Sequence, residues 1–567
     1  MIWEINDINS REDIVELSKQ LNVSSTIASL LVSRGVRTYD EAKLFFRPSL
    51  DDLHDPFLMK DMDKAVNRIL SAIDSNENIL IYGDYDVDGT TSVALVSKFL
   101  KNNVTNNIQT YIPDRYNEGY GISYKSIDYA FENNFSLIIA LDCGIKAIDK
   151  VSYANEKNID FIICDHHKPD LQIPQAIAIL NPLRNDCEYP FKYLCGCGIG
   201  YKLIQGLNLQ KKTWNEAPEN YLDLVAIAIG ADLVPLNGEN RVLCYHGLQV
   251  INKNPRAGIK AILRGIKNKS ITLNEVSFQI APRINAAGRI KHGNNAVELL
   301  IEEDFDKAIK FSNEIDVFNN QRREIDKTIT SQALIQIEKN KEKSNFSTVV
   351  FQEDWHKGVI GIVASRLIEK YYRPTLVFTK SNDCYAASAR SVKGFDIYNA
   401  IESCKDYLIQ YGGHKYAAGL TLKPDNFLKF KNAFEKIVKN SIDSKLMTPS
   451  IQVDEKIKLS TITPKFYRIL KQFAPFGPSN KKPVFLSENL TDTGFCKTVG
   501  EENNHLKCIV TQKGYKFSSI GFGIGEKIGL IKNKTPFNAV YNIEENYWNG
   551  KTSMQLKLID LNCEPND

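Results

Sequence analysis

Four short, largely apolar runs constrain the fold of this chain more than any other feature. They lie at residues 79–82, 108–112, 137–141 and 161–164, and each is followed by a stretch of helical periodicity. Such alternation predicts a parallel α/β sheet. Runs with few polar interruptions predict strands covered on both faces. Three of the four run directly into acidic or imidazole residues. The first leads to Asp84, Asp86 and Asp88, the third to Asp142, and the fourth to Asp165, His166 and His167. Carboxyl ends of parallel strands share one edge, where open α/β sheets place their sites, so these residues are expected to converge.

Convergent carboxylates repel one another and raise each other's pKa, and a bound divalent cation removes the repulsion. Oxygen-rich ligands with one or two imidazoles suit Mn²⁺ or Mg²⁺ better than a structural zinc. Two such ions about 3.5–4 Å apart are a usual apparatus for phosphoester hydrolysis. The run from Asp84 to Gly89 also opens like an EF-hand loop. That loop needs a bidentate Glu at its twelfth position, which here is Leu95, and a helix rather than a strand before it. Asp232 ends an apolar helical stretch. Taken alone, it reads as a solvated helix end. Cys195 and Cys197 lack a second pair at zinc-finger spacing, and the 11 cysteines read as reduced thiols.

A chain of 567 residues implies about three or four domains. Residues 1–60 carry helical patterns. Residues 303–343 contain neither Gly nor Pro and predict one long amphipathic helix, or two nearly collinear ones, spacing two domains. A second α/β segment runs from 348 to about 441. Short alternating stretches after 450 predict a β-barrel or sandwich. The expected divisions are 1–300, 301–344, 345–445 and 446–567. A net charge of +3 means that any nucleic-acid groove is basic only locally. The N-terminus lacks the pattern of a secretory signal, and no segment approaches the ~20 apolar residues needed to cross a bilayer. A cytoplasmic location is therefore expected.

Eight ordered blocks resemble the DHH phosphoesterase family, and within it the bacterial RecJ-type exonucleases. They are GDYDVDGTTS (83–92), IPDRYNEGYGIS (112–123), LDCGI (141–145), DHHKP (165–169), ADLVPL (231–236), PRINAAGRI (282–290), ASARS (387–391) and GGHKYAAG (412–419). The resemblance implies a multidomain α/β architecture: a parallel-sheet DHH domain, a long connecting helix, a smaller α/β DHH-associated domain and a C-terminal OB-like β-barrel. It implies that Asp86, Asp88, Asp142, His166 and Asp232 hold two divalent cations, Mn²⁺ or Mg²⁺. Asp142 would bridge the ions, and Asp84 and His167 would orient ligands or touch the scissile phosphate. Arg289 would approach the substrate phosphates. Arg115, Ser388 and Arg390 would recognise a 5′ terminal phosphate, while Gly412, Gly413 and His414 would offer backbone and imidazole donors. Tyr467, Phe473, Phe476 and Trp548 near the barrel could stack on bases, although most read as barrel core.

The activity so implied is metal-dependent hydrolysis of single-stranded DNA from its 5′ end, releasing 5′ mononucleotides in repair and recombination. Implied partners are single-stranded DNA, a single-strand-binding protein and a RecQ-type helicase, with the enzyme a monomer. The further C-terminal partner domain of some members is expected to be absent. Two alternatives stay open: a DHH phosphodiesterase of short oligonucleotides or cyclic dinucleotides, and a non-catalytic DHH replication scaffold.

Overall fold

The computed structural model describes residues 1–6, 11–214, 216–268, 270–548 and 550–563. Strands β1 (Asn78–Gly83), β2 (Ile108–Tyr111), β3 (Phe135–Leu141), β4 (Asp160–Cys164) and β5 (Ala178–Leu180) form one fully parallel sheet. The spatial order is β2-β1-β3-β4-β5, so the winding direction reverses between β1 and β3. The crevice outside the strand ends at such a switch point is the general ligand position of this architecture. Both faces are covered, as the apolar runs require. Ile79, Ile81, Leu137 and Ile139 join one core and Leu80, Tyr82 and Ile138 the other. The three-residue β5 ends the short apolar run 176–180, which the sequence reading did not assign to a strand.

Helices α1 (Val87–Asn103), α2 (Gly196–Gln210) and α3 (Leu222–Asp232) pack on the first of these faces, with α4 (Ala281–Ile290) beside them. Helix α5 (Phe305–Lys339) is one continuous element of 35 residues. Its first half contributes Ala308 and Ile315 to the core of the parallel sheet. Its second half contributes Ile329, Ala333 and Ile337 to a second α/β unit. That unit contains β6 (Thr348–Phe351), α6 (Ile360–Tyr371), β7 (Thr375–Ser381), β8 (Cys384–Arg390), β9 (Leu408–His414) and β10 (Ala417–Leu422), with strand order β9-β10-β8-β7-β6.

The C-terminal unit is built on one curled sheet. Its strands β11 (Phe485–Asp492), β12 (His505–Gln512), β13 (Tyr515–Gly521), β14 (Phe537–Trp548) and β15 (Lys551–Asn562) follow the order β11-β14-β15-β13-β12. A pairing of Thr491 with Thr511 brings β12 back onto β11. Phe473 lies fully in this core, with Tyr467 and Phe476 packed against it; the side chain of Trp548 lies outside the described residues. The N-terminal helices Arg11–Leu21, Ser25–Val32 and Tyr39–Phe46 share that core with the barrel.

A buried arginine joins the barrel to the parallel-sheet unit. The Arg241 guanidinium donates to the carbonyls of Phe45, Gln472, Phe473, Ala474 and Pro475 at 3.0–3.4 Å and stacks 3.9 Å from the Phe45 ring centroid. The Leu236 amide donates to the Pro478 carbonyl at 2.8 Å. Among the described residues, no helix is long and apolar enough to cross a membrane.

Candidate metal centre

The turn between β1 and α1 packs three carboxylates into a short loop. Asp86 caps α1 by accepting from the Gly89 amide at 3.1 Å. The hydroxyls of Thr90, Thr91 and Ser92 bond back to carbonyls of the preceding turn at 2.6–2.7 Å, so the polar first turns of α1 are satisfied although buried. Gly89 allows α1 to start against the backbone of Asp84, which any side chain at that position would strike. Asp84 is fully buried and neither carboxylate oxygen has a hydrogen-bond partner. Burial, and then the charge of Asp86, push its carboxyl well above the usual range.

Asp88 points from the first turn of α1 to the N-terminus of α2. Its oxygens accept from the amides of Gly196 at 2.6 Å and Cys197 at 2.7 Å. Those two residues belong to the Cys-Gly-Cys run at 195–197, whose sequence gave no sign of this contact. A glycine is required there, because a Cβ on Gly196 would come within 2.6 Å of the Cβ of Asp142. Asp142 itself leaves β3 in the left-handed region, φ 59°. Few non-glycine residues adopt that conformation, and aspartate is among those that tolerate it.

His166 sits at the centre of the acids. Its Nε2 lies 3.2 Å from Asp142 Oδ1, 3.7 Å from Asp88 Oδ2 and 3.8 Å from Asp232 Oδ2. Asp142 Oδ1 nevertheless takes no hydrogen bond of good geometry. Burial pushes the pKa of His166 down, which favours the neutral imidazole that a cation needs. Burial first, then neighbouring carboxylates, hold Asp142 well above its usual range and raise Asp232 to about 8. Asp88 is raised mainly by burial. Asp232 is the last residue of α3, where the negative end of the helix dipole adds to the unfavourable charge. Two triads have ligand atoms mutually within 4.8 Å: Asp88, His166 and Asp232, and Asp142, His166 and His167. Hard oxygen donors around one imidazole, with buried oxygens left unpartnered, fit a divalent cation and poorly fit anything else.

Two partners of this cluster went unassigned in the sequence. Asp165, buried, accepts from the His167 Nδ1 side at 2.7 Å and from the Ile145 amide at 2.9 Å. Against the opposing effect of burial, that contact raises His167 to about 9. Tyr120 Oη lies 3.1 Å from His167 Nε2. Asp165 stands in the DHHKP block and Tyr120 in the IPDRYNEGYGIS block, so the motifs were the available signal.

A cationic group faces the acids. Helix α4 packs its Gly288 on the loop after β1, where a Cβ would come 2.5 Å from the Tyr85 carbonyl. This delivers Arg289, whose Nη1 donates to the Gly358 carbonyl at 2.8 Å. Arg115 stacks 4.5 Å from the Tyr85 ring centroid. Burial, then neighbouring guanidiniums with Arg115 foremost, push Arg289 down to about 10. On the second sheet, Arg390 donates to Ser388 Oγ at 3.2 Å. The registers His414–Ala417–Arg390 and Gly412–Gly419–Ser388 run across three strands. Paired residues share a face, as do residues two apart, so Ser388, Arg390 and His414 flank a floor of small residues on one face. Gly413, at φ 143°, lies between the two rows and points its Cα hydrogens where a Cβ would strike Ala418.

The chain matches the models of the DHH family, N-terminal domain, over residues 78–229, of the DHHA1 domain over 343–440 and of the RecJ OB domain over 453–560. It is similar to the single-stranded-DNA-specific exonuclease RecJ of Bacillus subtilis, at 36% identity over 99% of this chain and 70% of that protein. The protein of the same name from Salmonella typhimurium is 31% identical over 94% of this chain and 95% of its own length. The crystal structure of RecJ in complex with Mn²⁺ from Thermus thermophilus superposes with a TM-score of 0.85 at 25% identity, covering 100% of this chain and 80% of that one. With the sheet order, the acid cluster and all three matched domains in agreement, the chain belongs to the RecJ family within the DHH phosphoesterases.

Proposed function

We propose that this protein is a metal-dependent exonuclease that hydrolyses single-stranded DNA from the 5′ end to 5′ mononucleotides, serving DNA repair and recombination. The observation that carries this reading is the convergence of Asp88, Asp142, His166 and Asp232 at the switch point of the parallel sheet, with buried carboxylate oxygens lacking partners. Asp86, Asp88, Asp142, His166 and Asp232 would hold two divalent cations, Mn²⁺ or Mg²⁺, with Asp142 serving both. Bound, the cations lower the pKa of the attacking water and neutralise charge on the phosphoryl oxygens.

The chain's own residues do the rest. Asp84 orients the ligands from the loop after β1. His167, anchored through Nδ1 by Asp165, presents Nε2 and the Tyr120 hydroxyl toward the phosphate. Arg289 binds a backbone phosphate beside the metal centre. Arg115, Ser388 and Arg390 take the 5′ terminal phosphate, and Gly412, Gly413 and His414 extend that surface. Anchoring the terminal phosphate sets the polarity of digestion. Cation binding falls mainly in division 1–300, spacing in 301–344, most of the terminal-phosphate surface in 345–445 and strand tracking in 446–567, with Arg115 reaching the phosphate surface from the first division and helices 11–46 packed on the last. The working form is a cytoplasmic monomer that receives strands from a helicase of RecQ type and from single-strand-binding protein.

The test is digestion of 5′- and 3′-labelled single strands, duplexes and dinucleotides with Mn²⁺ or Mg²⁺. Release of labelled mononucleotide from the 5′ end of single strands is expected. A protein that binds strands and cuts none of these substrates overturns the hydrolytic assignment, and one that cuts only dinucleotides overturns the substrate.

A further inference from the structure

Helix α5 changes partners part-way along its length. Ile315 and Phe318 pack on the core of the parallel sheet, whereas Ile325 and Ile329 pack on the core of the second α/β unit. At 100° per residue, positions 315, 318, 322, 325 and 329 fall on one stripe. Four of them are apolar. The fifth is Arg322, placed in the gap between the two cores. Its Nε is buried without a hydrogen-bond partner. The nearest acid on the helix, Asp326, is engaged by Arg366 at 2.7 Å. Asn319, one turn before Arg322 and only 1% exposed, also has a buried Oδ1 without a partner. Two polar side chains on the inner face of one helix are thus left unsatisfied at the joint between the units.

The joint is also where cations gather. Arg322 stands close enough to Arg289 to depress it, together with Arg115 and Arg390. Among the described residues, none of these four arginines forms a salt bridge, although Asp86 acts at longer range on Arg289 and Asp326 on Arg322. Gly358 and Gly361 bring the start of α6 against this group. A Cβ on Gly358 would lie 2.9 Å from the Arg289 carbonyl, and one on Gly361 would lie 3.1 Å from Arg390 Nη2. Even partial burial of clustered guanidiniums without counter-ions is unfavourable unless an anion arrives to pair them. Guanidinium geometry suits phosphate oxygens in particular.

We propose that Arg322 is a phosphate-binding residue, making the inner face of the long helix a third wall of the strand-binding cleft at the joint between the two α/β units. The ligand is a backbone phosphate of the bound single strand, next to the one held by Arg289, and Asn319 hydrogen-bonds the same nucleotide. The inference rests on the exonuclease reading above and deepens it.

The experiment compares wild type with Arg322→Met, which completes the apolar stripe, and with Arg322→Lys. Affinity for a 5′-phosphorylated single strand is measured by fluorescence anisotropy in EDTA across a salt series. KM and kcat are measured with Mn²⁺. The melting temperature without DNA is recorded for each protein. R322M is expected to weaken binding about 10- to 100-fold, the effect of one charge-assisted hydrogen-bonded contact. It should lower the slope of log affinity against log salt by about 0.7, one phosphate on a single strand. KM should rise with little change in kcat, and the DNA-free melting temperature should hold or increase. R322K should keep the salt slope and lose part of the affinity. A lowered melting temperature in R322M assigns the guanidinium a structural role and overturns the proposal, as does an unchanged affinity and salt slope. If wild type neither binds nor digests single strands, the exonuclease reading itself falls; if wild type does both and R322M matches it, only the role of Arg322 falls.

Discussion

Asp232→Asn is expected to inactivate the protein while making its metal-free form more stable. Without a cation, Asp232 ends α3 among Asp88 and Asp142, and its carboxyl is raised from 3.8 to about 8, chiefly by burial and then by the charges of Asp88 and Asp86. A displacement of that size corresponds to about 5.5 kcal/mol between protonation states. About a third of the side chain faces solvent, so screening discounts the figure. We expect about 2 kcal/mol. The pH dependence has a defined sign. Between about pH 4 and pH 8 the unfolded chain has lost this proton and the folded chain keeps it, so wild-type stability declines as pH rises through that window and levels off above it. Asn carries no such proton, so the stability difference between variant and wild type should be near zero at pH 4 and largest above pH 8. The assay is thermal unfolding over pH 4–9 in EDTA, repeated with Mn²⁺. A ligand at one hundred times its dissociation constant stabilises by about 2.7 kcal/mol. Wild type should gain on this scale and D232N much less, with turnover reduced about 100-fold or more. A metal-free melting temperature that falls in D232N, or an equal Mn²⁺-dependent shift in both proteins, refutes the placement of Asp232 in the metal centre.

Other substitutions separate structural from chemical roles. Asp88→Ala should abolish cutting and also destabilise the metal-free protein by about 2 kcal/mol, because the Gly196 and Cys197 amides lose their acceptor; circular dichroism melts give the second number, and a variant that still cuts contradicts the ligand role. Arg390→Ala should raise KM about 10-fold on 5′-phosphorylated strands and leave 5′-hydroxyl strands nearly unaffected; equal losses on both ends argue against the terminal-phosphate pocket. Arg241→Ala removes the donor to five carbonyls that tie the barrel to the rest and should cost about 3 kcal/mol. Limited proteolysis should then cleave first at residues 472–478, and unchanged protection there would show that other contacts carry the docking.

Much of the acidic edge was legible because its signals are local. Apolar runs of strand length followed by acids need only the covalent chain and the period of a β-strand to be read, and the sheet order then brings Asp86, Asp88, Asp142 and His166 to one crevice. The long helix was legible for the same reason, since 35 residues without Gly or Pro leave few other conformations. Asp232 was not legible alone, because an acid after an apolar helix looks like any solvated helix end until its neighbours are known.

What only the tertiary structure decided is which distant groups satisfy one another. The amides that hold Asp88 come from α2, more than a hundred residues away, and no periodicity in the Cys-Gly-Cys run marks them as its partners. The first three helices complete the core of the last domain rather than that of the segment they precede. Arg241 is buried and surrounded by carbonyls, whereas Arg322 is only partly buried and has no acceptor at its buried Nε. Sequence determines backbone propensity and the spacing of faces, which are short-range properties. The balance between burying a charge and pairing it depends on every group within a few ångströms, and those groups are assembled only when the chain has folded.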